Sequence, residues 1–278
     1  MEGTNVRVLI AGCGYVGTAL AGELAAAGHE VYALRRSGAP LPLLVQTLTA
    51  DLTQPASLQA LPTDLAAVFY LAAPGQRSDA AYRATYVAGL SNLLRVLEAR
   101  DPLPRQIIFA SSTRVYAQNT GEWVDEASPA EPLDFAGRCL LEAETCLRAS
   151  GLQGISIRFA GIYGPGRTRF LENVRSGCFV CDPAVRRVTN RIHRDDCAGV
   201  LQHILRLPQP QPLYLGTDCE PVEEGEVACW LAERLGVAPP PLPSPTRPLA
   251  NKRCSNRRLL ESGYRFRFPT FREGYGTS

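Results

Sequence analysis

The chain has 278 residues, of which 45% are hydrophobic and 20% are charged, and its formal net charge is +2. So small a charge argues against a dedicated nucleic-acid surface, and no apolar run approaches the ~20 residues of a membrane-spanning helix. The nine cysteines are irregularly spaced and the N-terminus leads directly into a predicted strand, which is typical of reduced thiols in a cytoplasmic protein. We therefore expect a cytoplasmic globular protein without nucleic-acid, membrane or metal partners.

The first predicted strand leads into a glycine-rich turn. Residues 8–10 form a short apolar run, and Gly12, Gly14 and Gly17 follow with G-x-G-x-x-G spacing, then a helical pattern and a second strand over 30–34. In such a unit the first glycine permits the tight turn, the second lets backbone approach a pyrophosphate and the third lets helix pack on strand. The unit predicts a dinucleotide site, the alternative being a glycine-rich turn without a ligand.

The end of the second strand bears on the choice of cofactor. An NAD site usually has Asp or Glu there, which accepts a hydrogen bond from the ribose 2′-hydroxyl. This chain has Arg35, Arg36 and Ser37 instead. Two guanidinium groups and a hydroxyl suit a 2′-phosphate. We therefore predict NADP in preference to NAD, the alternative being two solvated surface arginines.

Strands and helices continue to alternate along the first 160 residues. Predicted strands cover 45–50, 67–72, 106–110 and 154–159, and predicted helices cover 82–100 and 136–148. This alternation is typical of an α/β fold with a Rossmann-like doubly wound parallel sheet. We expect residues 1–160 to form the NAD(P)-binding domain and residues 161–278 mainly a small C-terminal substrate lobe, with later elements returning to the sheet.

Motifs along the whole chain point to one family. Besides the glycine turn they lie at 50–53, 70–73, 110–116, 158–167 and 190–196, and at 256–274 near the C-terminus. Together they resemble the extended short-chain dehydrogenase/reductases of the NAD(P)-dependent epimerase/dehydratase family, and among these the atypical YeeZ-like subgroup. The resemblance covers essentially the whole chain. It implies an NAD(P)-binding enzyme fold with a small-molecule substrate.

The glycine turn and the resemblance together predict two sets of site residues. The cofactor set is Gly12, Gly14, Tyr15, Val16, Gly17, Arg35, Arg36, Asp51, Leu52, Leu71, Ala72, Ala73, Pro74 and Ser111. For catalysis, Ser112 matches the family's Ser/Thr, whose hydroxyl hydrogen-bonds a substrate carbonyl or alcohol oxygen. The alternative is a hydroxyl-rich strand end that satisfies local backbone. Weaker catalytic candidates are Thr113, Tyr86, Tyr116 and Tyr163.

The family's acid/base pair is missing. The family uses Tyr-x-x-x-Lys on the helix after the fifth strand, but alignment places Phe135 at the Tyr position and Cys139 at the Lys position. Phe has no proton to give, and a thiol carries no fixed positive charge. Two functions remain open: an oxidoreductase or epimerase with a different proton donor, or a non-catalytic NADP-binding sensor or regulatory protein. The intact Ser112 region favours the enzyme.

The later motifs are rich in cations. Those we predict to bind substrate are Arg158, Arg167, Arg191, His193 and Arg258. Arg194 lies in the same motifs, and Lys252 and Arg253 lie just before the last of them. If several converge, they favour an anionic or phosphorylated substrate. The alternatives are surface charges balanced by nearby acids and, for His193, a structural role at a helix start. The sequence leaves open whether the chain forms a homodimer.

Overall fold

The computed structural model describes residues 5–36, 41–179, 187–240 and 251–276. Ser37, predicted at the 2′-phosphate, lies outside these ranges. The strands are β1 Arg7–Ala11, β2 Glu30–Arg35, β3 Val45–Thr49, β4 Ala67–Tyr70, β5 Gln106–Ser112, β6 Trp123–Val124, β7 Gly154–Phe159, β8 Gly161–Tyr163, β9 Val188–Thr189, β10 Arg191–His193, β11 Leu213–Gly216, β12 Val222–Glu223 and β13 Arg253–Cys254. The α-helices are α1 Tyr15–Ala26, α2 Asp79–Tyr82, α3 Leu90–Glu98, α4 Phe135–Ala149, α5 Arg169–Arg175, α6 Arg194–Arg206, α7 Glu224–Leu235, α8 Arg257–Glu261 and α9 Phe271–Gly276.

Seven strands form one parallel sheet in the order β11-β7-β5-β4-β1-β2-β3. The central strands are apolar on both faces because helices cover both faces; all four residues of β4 are fully buried. The predicted Rossmann-like doubly wound sheet is therefore confirmed. The strand order reverses between β1 and β4, which is where such sheets bind ligands.

Each face of the sheet has its own apolar layer. On one face α1 packs on α6, so a helix from the second half of the chain completes the layer. On the other face α3 packs on α4 and buries its leucines at helical spacing. Asp134 begins α4 by accepting a hydrogen bond from the Gly137 N–H at 2.9 Å. Strand β11 also returns to the sheet, at its edge beside β7.

The helix predicted over 82–100 is interrupted. Residues Arg83–Gly89 form π-helical turns between α2 and α3. The buried hydroxyl of Tyr70, on β4, donates a hydrogen bond to the Thr85 carbonyl inside this segment. A Cβ at Gly89 would lie 2.6 Å from the same hydroxyl. A side chain inserted into the helical hydrogen-bond ladder is an established cause of such widened turns.

The remaining elements form a smaller cluster beside the sheet. Its apolar centre joins α5, α7 and α9 through residues such as Val174, Leu231 and Phe271. Three two-stranded sheets, β8–β10, β9–β12 and β6–β13, connect this region to the strand ends. Among the described residues, no helix is long and apolar enough to cross a membrane.

Candidate cofactor and substrate site

A cleft of about 480 Å³ opens at the carboxyl ends of β1, β2, β4, β5 and β7. This volume is within the range of small-molecule and cofactor sites. All the predicted cofactor residues except Gly17 and Pro74 line it. The cleft therefore brings the glycine turn, the end of β2 and the Ser111–Ser112 strand end into one continuous space.

The glycine turn has the backbone geometry that a bound pyrophosphate requires. Gly12 has a φ of +92°, and a Cβ there would lie 2.3 Å from the Ala72 Cα, so only glycine fits. A Cβ at Gly14 would meet nothing within 4 Å, and no side chain caps the start of α1. Gly17 instead packs against the Gly12 carbonyl. The first N–H groups of α1 are thus available to a phosphate.

The end of β2 carries the predicted 2′-phosphate residues. Arg35 and Arg36 both line the cleft together with Asp51. The Asp51 carboxylate accepts hydrogen bonds from the Thr53 N–H at 2.9 Å and the Thr53 hydroxyl at 2.7 Å. These bonds, and then the nearby Arg36 guanidinium, hold the pKa of Asp51 below its usual value. One fixed anion therefore lies beside two arginines at this end of the cleft.

The three hydroxyls at the carboxyl end of β5, those of Ser111, Ser112 and Thr113, have different surroundings. Ser111 donates to the Glu144 carboxylate at 2.5 Å. Thr113 is buried and lies outside the cleft lining. The Ser112 oxygen accepts from the Arg114 N–H at 3.2 Å, which leaves its own proton to donate. Ser112 is therefore the hydroxyl of this group that combines a place in the cleft with an available donor.

Tyr86 is the tyrosine among the weaker catalytic candidates that lines the cleft. Its ring lies edge-on to Tyr82 and Phe109, with centroids 5.5 Å and 6.2 Å away. Burial raises the pKa of the Tyr86 phenol to about 12, so it is a neutral donor at ordinary pH. Its place follows from the π-helical segment, which carries Thr85 and Tyr86 to the cleft wall.

Arg158 and Tyr116 lie in the core rather than in the cleft. The Arg158 guanidinium, 4% exposed, donates to both Glu144 carboxylate oxygens at 2.9 and 2.6 Å and to the Tyr116 hydroxyl at 2.8 Å. Tyr116 in turn donates to the Asp125 carbonyl, and burial raises its pKa to about 12. With these bonds made, Arg158 is a structural cation, and we withdraw it from the predicted substrate set.

Tyr163, Arg191 and His193 lie together in the smaller cluster. Tyr163 is buried against His193 and Tyr275, and burial raises its pKa. Arg191 lies over the Phe271 ring and donates to the Thr189 hydroxyl. None of the three predicted residues lines the cleft.

His193 and Arg258 are also engaged locally. His193 accepts a hydrogen bond from the Asp195 N–H at 3.2 Å and so caps α6, while burial lowers its pKa. Arg258 donates to the Leu213 carbonyl and approaches Glu126 in a separate groove. The predicted substrate cations therefore do not converge.

Arg167 is the predicted substrate residue that does line the cleft, at its glycine-turn end. Its guanidinium lies 4.3 Å from the centroid of the Tyr15 ring, and Arg194 approaches that ring at 5.4 Å. The Tyr15 hydroxyl is buried and has no hydrogen-bond partner among the described residues. Arg167 also donates to the Ile162 carbonyl at 3.2 Å, which fixes its position over Tyr15.

Phe135 and Cys139 are packed away from the cleft. The Phe135 ring contacts Tyr82 edge-on at 5.3 Å, and neither residue is part of the cleft lining. Cys139 is fully buried with its thiol 3.8 Å from Asp79, and burial raises its pKa. A buried thiol of raised pKa is a poor nucleophile.

Sequence reasoning missed several cleft residues because most are small or apolar. They are Cys13, Leu34, Ala50, Thr53, Thr85, Ala110, Phe159, Ala160 and Ile162. Cys13 and Thr85 adjoin residues that were predicted, and that adjacency is a signal that could have found them. Ile162 lies beyond β7, and its place depends on how the smaller cluster packs, for which no local pattern exists.

Comparison with known proteins identifies the family. Residues 8–178, more than half of the chain, match the NAD dependent epimerase/dehydratase family, and the chain belongs to that family. A solved structure assigned as an NAD-dependent epimerase/dehydratase, from Methylobacillus flagellatus, is 40% identical over 99% of this chain and 97% of its own, with a TM-score of 0.84.

Two curated proteins are also similar over almost their full length. A 3-diazoavenalumate denitrifying reductase from a Streptomyces species is 26% identical over 98% of this chain and 99% of its own. The epimerase family protein SDR39U1 of Bos taurus is 27% identical over 95% of this chain and 96% of its own. The predicted NAD(P)-dependent family is therefore confirmed.

Proposed function

We propose that this chain is an NADP(H)-dependent reductase of a small carbonyl compound, in which Ser112 and Tyr86 take over the work of the missing Tyr-x-x-x-Lys pair. The observation that carries the proposal is the hydrogen bonding of the hydroxyls at the carboxyl end of β5. Ser111 donates to Glu144 and Thr113 lies outside the cleft lining, whereas Ser112 lies in the cleft with a proton to donate. The relative named a reductase is consistent with a reduction.

The cleft fits a dinucleotide at three points. The uncapped start of α1 and the open side of Gly14 suit a pyrophosphate. Arg35 and Arg36 suit a 2′-phosphate, which favours NADP over NAD. We also assign Arg167 to the cofactor rather than to substrate, since it is stacked on Tyr15 of the glycine turn. Cation and phenol would together cover the pyrophosphate.

The chemistry of reduction divides between cofactor and protein. A bound NADPH would supply a hydride to the carbonyl carbon. The Ser112 hydroxyl would donate a hydrogen bond to the carbonyl oxygen and hold it in place. The Tyr86 phenol would give its proton to the same oxygen and recover one from solvent. Because its pKa is raised to about 12, Tyr86 starts each turnover protonated.

The test is NADPH oxidation with a panel of aldehydes, ketones and nucleotide sugars. With the best substrate found, Ser112→Ala and Tyr86→Phe should each lower kcat by roughly 10²–10⁴-fold, the usual contribution of a positioned acid or hydrogen-bond donor. Tyr82→Phe is the matched control, since Tyr82 is a neighbouring phenol outside the cleft lining. Unchanged kcat in both cleft variants would contradict the assignment.

A cofactor-binding sensor or regulatory protein is the second candidate. It is favoured by Phe135 and Cys139, which align with the family's acid/base positions. Phe135 packs against Tyr82, and the Cys139 thiol contacts Asp79. NADPH binding with no turnover across the whole panel would support this candidate and overturn the first. For either function we propose a cytoplasmic location, in keeping with the free cysteines of the described chain.

A further inference from the structure

Lys252 is the only lysine in the chain, beside 28 arginines. It is 6% exposed, and within the part of the chain that the structure describes its ammonium makes one hydrogen bond, to the Tyr116 carbonyl at 3.3 Å. Among the described residues no carboxylate lies within 4.0 Å of it. A buried lysine is normally paired, because an uncompensated charge loses its hydration without replacement.

The surrounding charges do not neutralise this ammonium. Glu122 is nearby, but its carboxylate is exposed and accepts hydrogen bonds from the Thr120 N–H and hydroxyl. Arg114 adds a second positive charge, and the Cys254 thiol is kept neutral by a pKa that burial raises to about 12. Burial lowers the pKa of Lys252 itself, as expected for a cation short of partners.

The lysine is nevertheless held firmly in place. The Asn190 side chain donates to the Lys252 carbonyl at 2.9 Å and accepts from the Cys254 N–H at 2.7 Å. The Asn190 carbonyl accepts from the Gly161 N–H at 3.1 Å, directly after the cleft residue Ala160. Lys252 thus joins the carboxyl end of β7 to the chain just after β5. This is the end of the sheet where the cleft opens, and Lys252 lies behind the residues that line the cleft rather than among them.

We propose that the Lys252 ammonium, which donates to the Tyr116 carbonyl while Asn190 fixes the Lys252 backbone, is a binding site for a substrate carboxylate. One compact cation, with two N–H groups that have no partner among the described residues, matches a single negative charge better than a doubly charged phosphate. The inference rests on the proposed reductase function and gives its substrate a chemical class, a carbonyl compound bearing a carboxylate.

The sole lysine makes a direct test practical. Protein labelled biosynthetically with ¹³C-lysine gives one Cε signal, which reports the surroundings of the ammonium. We expect acetate and benzoate, at millimolar concentration, to move this signal saturably, and acetamide and benzamide to leave it in place. Failure of both carboxylates to move the signal, or equal shifts with the amides, would overturn the proposal.

Variants separate binding from structure. Lys252→Met should weaken benzoate binding, measured by calorimetry, by at least ~10-fold, the effect of losing one charged hydrogen bond, without lowering Tm. Lys252→Arg should retain part of the affinity. Arg257→Met, which removes an exposed charge from the neighbouring helix, is the control. A Tm several degrees lower in Lys252→Met with unchanged benzoate affinity would make Lys252 structural and overturn the site.

NADPH binding and turnover by the same samples distinguish this proposal from the proposed function. If NADPH binds and carbonyls are reduced while the Cε signal stays fixed, the carboxylate site fails and the reductase stands. If carboxylates move the signal but NADPH does not bind, the site stands without the reductase.

Discussion

At the scale of single residues, hydrogen-bond partners decide which polar groups are available for chemistry. The Ser111 hydroxyl and the Arg158 guanidinium both donate hydrogen bonds to the Glu144 carboxylate, which is 2% exposed. Arg158, a cation predicted to bind substrate, therefore makes its contacts in the core. The pattern of residues in the sequence cannot show this, since the motif that contains Arg158 is the same whether its side chain faces the cleft or the core.

The first prediction concerns this buried pair. Arg158→Met leaves the Glu144 carboxylate buried without its cation and should lower the free energy of unfolding by about 3–5 kcal/mol. The double variant with Glu144→Leu should recover most of the loss. Urea unfolding measures both. Unchanged stability together with a raised KM would return Arg158 to the substrate site.

The second prediction concerns Asp218, which is 1% exposed and whose pKa burial raises to about 8, although the Arg191 charge opposes the shift. The unfolded carboxyl has a pKa of about 4. Between about pH 4 and pH 8 the unfolded chain therefore releases a proton that the folded chain keeps. Stability is lost as pH rises through this window, and the loss is complete above it.

Asp218→Asn removes this titration while keeping an oxygen to accept from the Glu220 N–H. Its stability should match that of the unaltered protein near pH 4 and exceed it by at least ~1 kcal/mol near pH 8. Urea unfolding at the two pH values is the measurement, and the histidines cancel because both proteins have them. A variant less stable at the higher pH would show that Asp218 is ionised in the fold.

At the scale of elements, local periodicity was enough for the sheet but not for the helix beside the cleft. The apolar runs and glycines of β1, α1 and β2 are contiguous, so the sequence predicted these elements closely. The leucines of α3 predicted a regular helix from residue 82. The widened turns depend on the Tyr70 hydroxyl, which reaches this helix from β4, and no local pattern contains that contact.

The third prediction tests this cause. Gly89→Ala would put a methyl group 2.6 Å from the Tyr70 hydroxyl and should destabilise the fold by about 1–3 kcal/mol. Adding Tyr70→Phe should restore part of the loss. Gly22→Ala in α1 is the matched control, since its Cβ would make only ordinary contact, at 3.7 Å, and should stabilise the helix by up to ~1 kcal/mol. Thermal unfolding of these variants measures the changes in stability. A destabilised Gly22→Ala variant together with an unaffected Gly89→Ala variant would contradict the steric explanation.

At the scale of the whole molecule, most residues of the predicted cofactor set meet in one cleft, whereas most of the predicted substrate cations lie outside it. The cofactor residues follow the ends of consecutive strands, and parallel strands bring those ends to one edge of the sheet. The substrate half depends on how the loops after β7 pack. In these loops Arg191 and Arg258 make local hydrogen bonds outside the cleft. Arg167 instead lies over Tyr15 of the glycine turn.

The central claim is that this cleft binds NADP(H), with its 2′-phosphate at Arg35 and Arg36. Calorimetric titration of NADPH and NADH into the unaltered protein, Arg35→Asp and Arg167→Ala tests it most directly. Arg35→Asp should weaken NADPH binding by at least ~10-fold, the loss of one or two charged hydrogen bonds, and spare or improve NADH binding. Arg167→Ala should weaken both cofactors equally, because both carry the pyrophosphate. Equal loss of both cofactors in Arg35→Asp, or no loss of NADPH binding, would contradict the account.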